Sequence, residues 1–331
     1  MHIIEREQSQ FHKNWEQLEL RSSFKFNHKY SSNIIKYNKE YGNYSFVKDV
    51  SFIVINDDGN QVCGLKAYIN KPDNKSPELS IYGIPILFLI NNELQDHHLR
   101  KIKKLLLKKI KSILESEKDL RVVYVDYLIN NLSICSEVLL NLGFCIKPIF
   151  TTIIDTSVKT EILKSSLTSS NKAYVNWGLE NMRIEIINQN NLDPSHFKNF
   201  QDLHMQASGR ATRTQKTWDI QQLMVKDNQA FAIFGYYDDK LVASALFQHS
   251  DNYCYYAVGA YDRNKFDKPI SHAIIWQAID YAKKLNISDF EIGAQFPILS
   301  EHDKLSEKEI NIAKFKKQFG GKLTMFLELS N

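Results

Sequence analysis

The densest run of chemistry-bearing side chains is His204-Met205-Gln206-Ala207-Ser208-Gly209-Arg210-Ala211-Thr212-Arg213, followed by Trp218 and Gln221. Arg210 and Arg213 stand three residues apart beside a glycine. Two guanidinium groups at that spacing could clamp a phosphate or carboxylate, each with a fork of N–H donors. Trp218 and Gln221 would extend that substrate-binding surface. The competing reading is a solvated loop at a helix start with surface arginines. His204 titrates near neutral pH when unperturbed, so it could act as a general base. It could equally be a helix-face histidine with one hydrogen bond.

Glu291 lies between apolar Phe290 and Ile292, and period-two alternation puts it on the face opposite both, beside Gly293. A carboxylate so placed is either a base or a salt-bridged structural acid. Tyr255, Tyr256 and Tyr261 cluster on one strand, and a phenol such as Tyr256 could protonate a leaving group. With 16 tyrosines in the chain, core packing is the commoner role. Pro269 suits a helix start, with Ser271 and His272 in the first turn, and backbone N–H groups there can bind an anion.

These groups need elements to hold them. Residues 8–21 read as an amphipathic helix, and 51–70 as a hairpin turning at Asp57-Asp58-Gly59-Asn60. An apolar strand follows at 79–90, a helix at 97–117, a β-rich run at 120–128, a short helix at 133–142 stopped by Gly143, and a strand at 144–155. Residues 163–182 read as one connecting helix. The second half then repeats the order: a hairpin at 231–237 and 241–249 around Asp238-Asp239-Lys240, strand 253–260, helix 270–285, strand 288–293, helix 307–319 and strand 323–329. Strand–strand–strand–helix–strand–helix–strand thus occurs twice, which predicts a duplicated domain of the α+β class with a mixed sheet in each copy. The expected domains are 1–158 and 159–331, the second carrying the connecting helix at about 161–182.

The 331 residues suit two domains. Hydrophobic content of 43% and only 12 Gly and 7 Pro exclude collagen-like and disordered classes. A net charge of +4 is too small to argue for nucleic acid by itself. The helix at 97–117 carries Arg100, Lys101, Lys103, Lys104, Lys108, Lys109 and Lys111, a basic patch for tRNA or anionic lipid, or a solvated face. The preferred reading is the solvated face, because no aromatic residues interleave the charges. Cys63, Cys135, Cys145 and Cys254 are scattered, with no C-x-x-C and no His at ligand spacing. A structural zinc or disulfide framework is disfavoured, no metal is expected, and the thiols fit a reducing cytoplasm. No signal peptide or 20-residue apolar span is visible.

The series Tyr255-Tyr256-Ala257-Val258-Gly259-Ala260-Tyr261, Ile274-Ile275-Trp276-Gln277-Ala278-Ile279-Asp280-Tyr281-Ala282-Lys283 and Phe290-Glu291-Ile292-Gly293 resembles the Gcn5-related N-acetyltransferase (GNAT) fold. It looks closest to the FemABX-type subgroup, which carries two such domains in tandem, as do Phe150-Thr151-Thr152-Ile153-Ile154-Asp155 and the helix after it. The resemblance covers about 150–331, and the first half matches in element order.

The resemblance implies transfer of an acyl or aminoacyl group to an amine of a bacterial cell-envelope precursor such as a nucleotide-linked amino sugar. The donor is acyl-CoA in the acetyltransferase branch and aminoacyl-tRNA in the peptidoglycan-bridge branch. The stretch 167–177 of the connecting helix has one lysine, Lys172, where tRNA-using relatives are basic, so tRNA is disfavoured and acyl-CoA is the expected cosubstrate. Val258, Gly259, Ala260, Ser271 and His272 would hold that donor, although no Gly-rich pyrophosphate loop is present. The loop with Arg210 and Arg213 lies where acceptors bind in the family. His204 or Glu291 would deprotonate the attacking ammonium, and Tyr256 would protonate the leaving thiolate or hydroxyl. A tandem-domain protein that binds such a precursor without turnover is the reading from another class.

Overall fold

The computed structural model describes residues 1–24, 26–94, 99–129, 131–297 and 305–331. The chain divides into two compact units: 1–25, 38–148 and 326–331 form the first, 26–37 and 149–325 the second.

The first unit opens with β1 (His2–Glu5) and α1 (Phe11–Leu20), whose Phe11, Trp15 and Leu18 are buried at helical spacing. A 3-10 turn at Asn27–Tyr30 and the start of α2 (Ser32–Tyr41) belong to the second unit. Next come β2 (Ser45–Asp49), β3 (Phe52–Ile55), β4 (Gln61–Lys66), β5 (Tyr68–Lys71), β6 (Glu78–Ser80), β7 (Leu87–Ile90), α3 (Leu99–Glu115), β8 (Arg121–Val122), β9 (Tyr124–Asp126) and α4 (Ile134–Asn141). β3 and β4 form the expected hairpin, closed at Gly59 with φ +83°.

The apolar run at 79–90 is two strands rather than one. Tyr82 and Gly83 both take positive φ, 53° and 81°, and turn the chain between β6 and β7. The strands fall into two four-stranded sheets, β1-β3-β4-β7 and β2-β5-β6-β8. The β-rich run at 120–128 likewise divides into β8 and β9. Ile102, Leu106, Ile110 and Ile113 of α3 are buried as its spacing predicts; the expected start of this helix at 97 lies outside the described residues. Lys101, Lys103, Lys109 and Lys111 pair with Asp57, Glu137, Glu5 and Glu115, which fits a solvated face.

The chain passes into the second unit within β10 (Cys145–Asp155), at residue 149, and continues with α5 (Thr160–Ser166), α6 (Ser169–Asn181), β11 (Arg183–Ile187), α7 (Pro194–Ser208), α8 (Gln215–Lys226), β12 (Ala230–Tyr237), β13 (Lys240–His249), β14 (Tyr253–Tyr261), α9 (His272–Lys284), β15 (Asp289–Gln295), α10 (Glu307–Lys317) and β16 (Lys322–Ser330). The expected connecting helix is broken in two, because the Thr168 side chain caps a new helix N-terminus by accepting from Asn171 N–H. The sheet runs β11-β12-β13-β14-β15-β10-β16, all antiparallel through β14, then parallel between β14 and β15. Asp238 and Asp239 both take left-handed φ, which makes the tight β12–β13 turn. The last residues of β16 belong to the first unit, where Leu327–Leu329 pair with β9. Each half therefore holds sheet and helices in the mixed α/β arrangement expected from the repeat.

Candidate functional site

The ladder between β14 and β15 runs for three pairs only, Tyr253–Tyr255 against Asp289–Glu291. The strands part beyond it, and β15 continues against β10. Parallel strands that splay leave backbone groups and side chains open between them, so the groups around this opening are the ones to weigh.

Glu291 sits at the fork. Phe290 and Ile292 are fully buried in the apolar core on one face, and Glu291 is buried on the other, as alternation predicts. Its Oε1 accepts from Thr151 Oγ1 at 2.8 Å and its Oε2 from the Tyr253 hydroxyl at 2.7 Å. Both oxygens are thus fixed by neutral hydroxyl donors, which orients the carboxylate and leaves it lone pairs to spare. Next along β15 is Gly293, at φ +114°. The Lys316 ammonium from α10 occupies the space a β-carbon at 293 would need, and lies 5.5 Å from the Tyr256 ring centroid. Burial pushes the Lys316 ammonium below its ordinary pKa, and the neighbouring Glu291 charge partly opposes that. The Tyr256 hydroxyl lies over Gly259 and shares a 2.9 Å hydrogen bond with the Tyr261 hydroxyl. Burial raises Tyr256 to about 12, so it stays protonated and able to donate.

Lys316 is a site residue that chemistry-bearing motifs do not single out, although its helical spacing carries a signal. It stands three residues after buried Ala313 and three before buried Phe319, on the inward face of an otherwise polar helix. Tyr253 and Thr151 carried no signal, because a buried tyrosine and a strand threonine are ordinary core residues.

His204 and the arginines lie at the α7–α8 connection. The sequence signal for the start of α7 is Asp193-Pro194, a cap followed by an N1 proline, and the structure uses both. Gly209, at φ +73°, ends α7, and residues 209–214 lead to Thr214, which caps α8. Arg213 Nη1 donates to His204 Nε2 at 2.8 Å and Nε donates to the Tyr37 hydroxyl at 3.0 Å. A guanidinium has no lone pair to offer, so Nε2 must be the acceptor and the ring proton sits on Nδ1. Burial, then the Arg213 charge, drop His204 to about 4. His204 is neutral at pH 7, and its Nε2 lone pair is committed to Arg213. It is therefore a support for the arginine rather than an available base.

Trp218 is buried edge-on against Phe200 and His204, with the Arg213 guanidinium 5.8 Å over its ring. It is a platform under Arg213 and offers little surface to a ligand. Arg210 is exposed and, among the described residues, its guanidinium makes no hydrogen bond or ion pair. Gln221 is 1% exposed, yet among the described residues neither its amide oxygen nor its nitrogen has a hydrogen-bond partner. Leaving such a group unpaired costs about 1–3 kcal/mol, which marks it for a polar partner.

The positions expected to hold the donor are less open. Val258 and Ala260 are buried and Gly259 lies under the Tyr256 phenol. Ser271 is the residue before α9 but makes no side-chain cap. His272 is turned into an aromatic cluster of Tyr174, Phe315 and Phe319, its Nδ1 3.3 Å from the Pro269 carbonyl. What this region can offer an anion is the backbone N–H groups at the start of α9. Among the described residues no three His, Cys, Asp or Glu side chains group to hold a metal, and no helix is long and apolar enough to cross a membrane.

No family model matches the chain, and no curated protein does. Solved structures do. The chain is similar to the crystal structure of FemX, with TM-score 0.70 and 16% identity over 99% of this chain and 97% of that one. It is also similar to the C-terminal domain of a putative lysylphosphatidylglycerol synthetase from Agrobacterium fabrum (TM-score 0.58, 10% identity, 96% and 92% covered). A third is a tandem GNAT protein from the clavulanic acid biosynthesis pathway (0.57, 10%, 99% and 97%). The fold is the FemABX-like tandem GNAT fold.

Proposed function

We propose that this chain is an acyltransferase that moves an acyl or aminoacyl group onto an amine of an anionic acceptor, of the class of nucleotide-linked amino sugars and related cell-envelope precursors. The observation that supports it best is the Lys316 ammonium beside Glu291, where β14 and β15 part.

In this reading the acceptor amine attacks the donor carbonyl carbon, a C–N bond forms and charge builds on the carbonyl oxygen. Lys316 neutralises that oxyanion in a partly desolvated setting, where such an interaction is strongest. Glu291, held by Thr151 and Tyr253, takes the proton the amine sheds. Collapse breaks the bond to the donor's sulfur or oxygen, and Tyr256 returns a proton to the leaving group. Arg210 and Arg213 hold the acceptor's phosphate or carboxylate, with Arg213 locked by His204, Tyr37 and Trp218. Gln221 supplies a further polar contact.

Acyl-CoA as donor would rest on the α9 N-terminus. An aminoacyl ester on tRNA is the second reading, favoured by the whole-chain similarity to FemX at TM-score 0.70.

The test is intact-mass analysis of nucleotide-linked amino sugars and precursor peptides incubated with the chain and either acetyl-CoA or aminoacyl-tRNA. An acceptor gaining the mass of the acyl group with one donor, abolished in Lys316→Met, supports the reading. Acceptor binding with no mass gain from either donor would assign the protein to the non-catalytic class.

A further inference from the structure

The first unit holds a cavity of about 1070 Å³ at one end of the β2-β5-β6-β8 sheet. Its size is at the upper end for small-molecule sites. Each strand of that sheet contributes a terminal residue, and the 72–77 loop closes one side.

The floor is a carboxylate with an unusual setting. Glu78 is buried, accepts from the Tyr44 hydroxyl at 3.0 Å, and pairs with the Arg121 guanidinium. A buried carboxylate needs such partners to be tolerated. Tyr44 reaches it only because residue 83 is glycine: the phenol lies within 2.5 Å of where a β-carbon there would stand. Burial and the Glu78 charge raise Tyr44 to about 12, so it remains a donor to the carboxylate. Glu78 is therefore satisfied and Arg121 is aimed. The arginine side chain remains 59% exposed while Glu78 is 3% exposed, so its other N–H donors are open to solvent.

The Glu78–Arg121 pair also ties β6 to β8, where the two residues are register partners. A structural role explains that pair, but not the volume in front of it or the cations that rim it. Lys71 and Lys75 both line the cavity, as does Asp73 between them in sequence. A fork held in place, with two flexible ammonium groups around it, matches a multiply charged oxyanion better than a single carboxylate.

We infer that this cavity is a binding site for a phosphorylated small molecule, separate from the groups at the β14–β15 opening. It does not depend on the transfer chemistry proposed above.

The test uses the full chain and inorganic pyrophosphate as probe, with hydrogen exchange for location and calorimetry for affinity. Expected are slowed exchange across 71–78 and 121–122, and about tenfold weaker binding in the Lys71→Gln/Lys75→Gln double variant, taking about 1.4 kcal/mol per decade. Arg121→Lys should weaken it as well, since lysine keeps the charge but loses the fork. The lysines are exposed, so the double variant stays folded and decides the matter even if changes at Arg121 disturb Glu78. Protection confined to 209–214 or 258–272, unchanged affinity in the lysine variant, or no binding at all overturns the inference.

Discussion

The Lys316 ammonium stands where a β-carbon on residue 293 would be. Gly293, at φ +114°, thus does two things at once: it takes a backbone conformation that side chains resist, and it opens the niche the lysine fills. The proposed oxyanion contact and the glycine are one device.

Gly293→Ala and Lys316→Met should therefore have the same kinetic signature. Both are expected to lower kcat by about 100-fold or more, the usual cost of losing one oxyanion contact, with acceptor KM little changed. The wild type should also lose activity on the alkaline side below the ordinary lysine range, because burial lowers the Lys316 pKa and the ammonium is the useful form. A pH–rate profile checks this. An alkaline limb that persists in Lys316→Met belongs to another group and removes the lysine from the mechanism.

Arg210 and Arg213 separate a ligand contact from a built support. Either alanine variant should raise acceptor KM about 10- to 100-fold, at about 1.4 kcal/mol per decade. Arg210→Ala, at an exposed position, should leave the melting temperature unchanged. Arg213→Ala should lower it, because Tyr37, His204 and Trp218 lose their shared partner. Wild-type turnover of acceptor by both variants would return the arginines to a structural role.

What the sequence could tell about this site follows from how local each signal is. Glu291 was legible because alternation with Phe290 and Ile292 is a property of three consecutive residues, and the β12–β13 hairpin was legible from Asp238-Asp239-Lys240. The break between β6 and β7 was not, since it needs Tyr82 at positive φ inside an apolar run, and no local rule asks a tyrosine to do that. The arginines were found but not their division of labour. That depends on Tyr37, 176 residues away in the chain, and on the α7 helix that delivers His204. Lys316 was hidden by its own helix, where five other charged residues mask the one that points inward.

His204 offers a clean contrast between base and support. A neutral imidazole whose Nε2 accepts from Arg213 can be replaced by an amide oxygen, so His204→Gln should keep most activity. His204→Leu should behave like a weakened Arg213 variant, with raised acceptor KM and near-normal kcat. Since burial and Arg213 hold His204 to about 4, the wild type should show no limb near pH 6.5 that His204→Gln removes. A kcat collapse in His204→Gln, with acceptor KM unchanged, would restore the histidine as the base.

His28 gives the last prediction, which concerns stability. Its ring lies flat on Tyr253, 4.8 Å between centroids, and it is 2% exposed, with neither ring nitrogen hydrogen-bonded among the described residues. Burial, then the charges of Lys29 and His249, lower its pKa well below 6.5. The folded chain therefore binds fewer protons than the unfolded one once the pH falls below about 6.5, the value for a free imidazole. The stability tied to His28 is complete above that pH and is lost as the pH drops through the interval down to the folded pKa, by up to about 1.4 kcal/mol per pH unit. His28→Phe keeps an aromatic ring on Tyr253 and removes the orphaned nitrogens, so it should stabilise the chain by about 1 kcal/mol or more at pH 7. It should also reduce the acid slope by one proton, while His249 and His272, both also lowered by burial, keep the remainder. Urea midpoints at pH 7.5, 6 and 5 measure both effects. Parallel curves for wild type and His28→Phe would mean that this imidazole takes up its proton in the folded chain as readily as in the unfolded one.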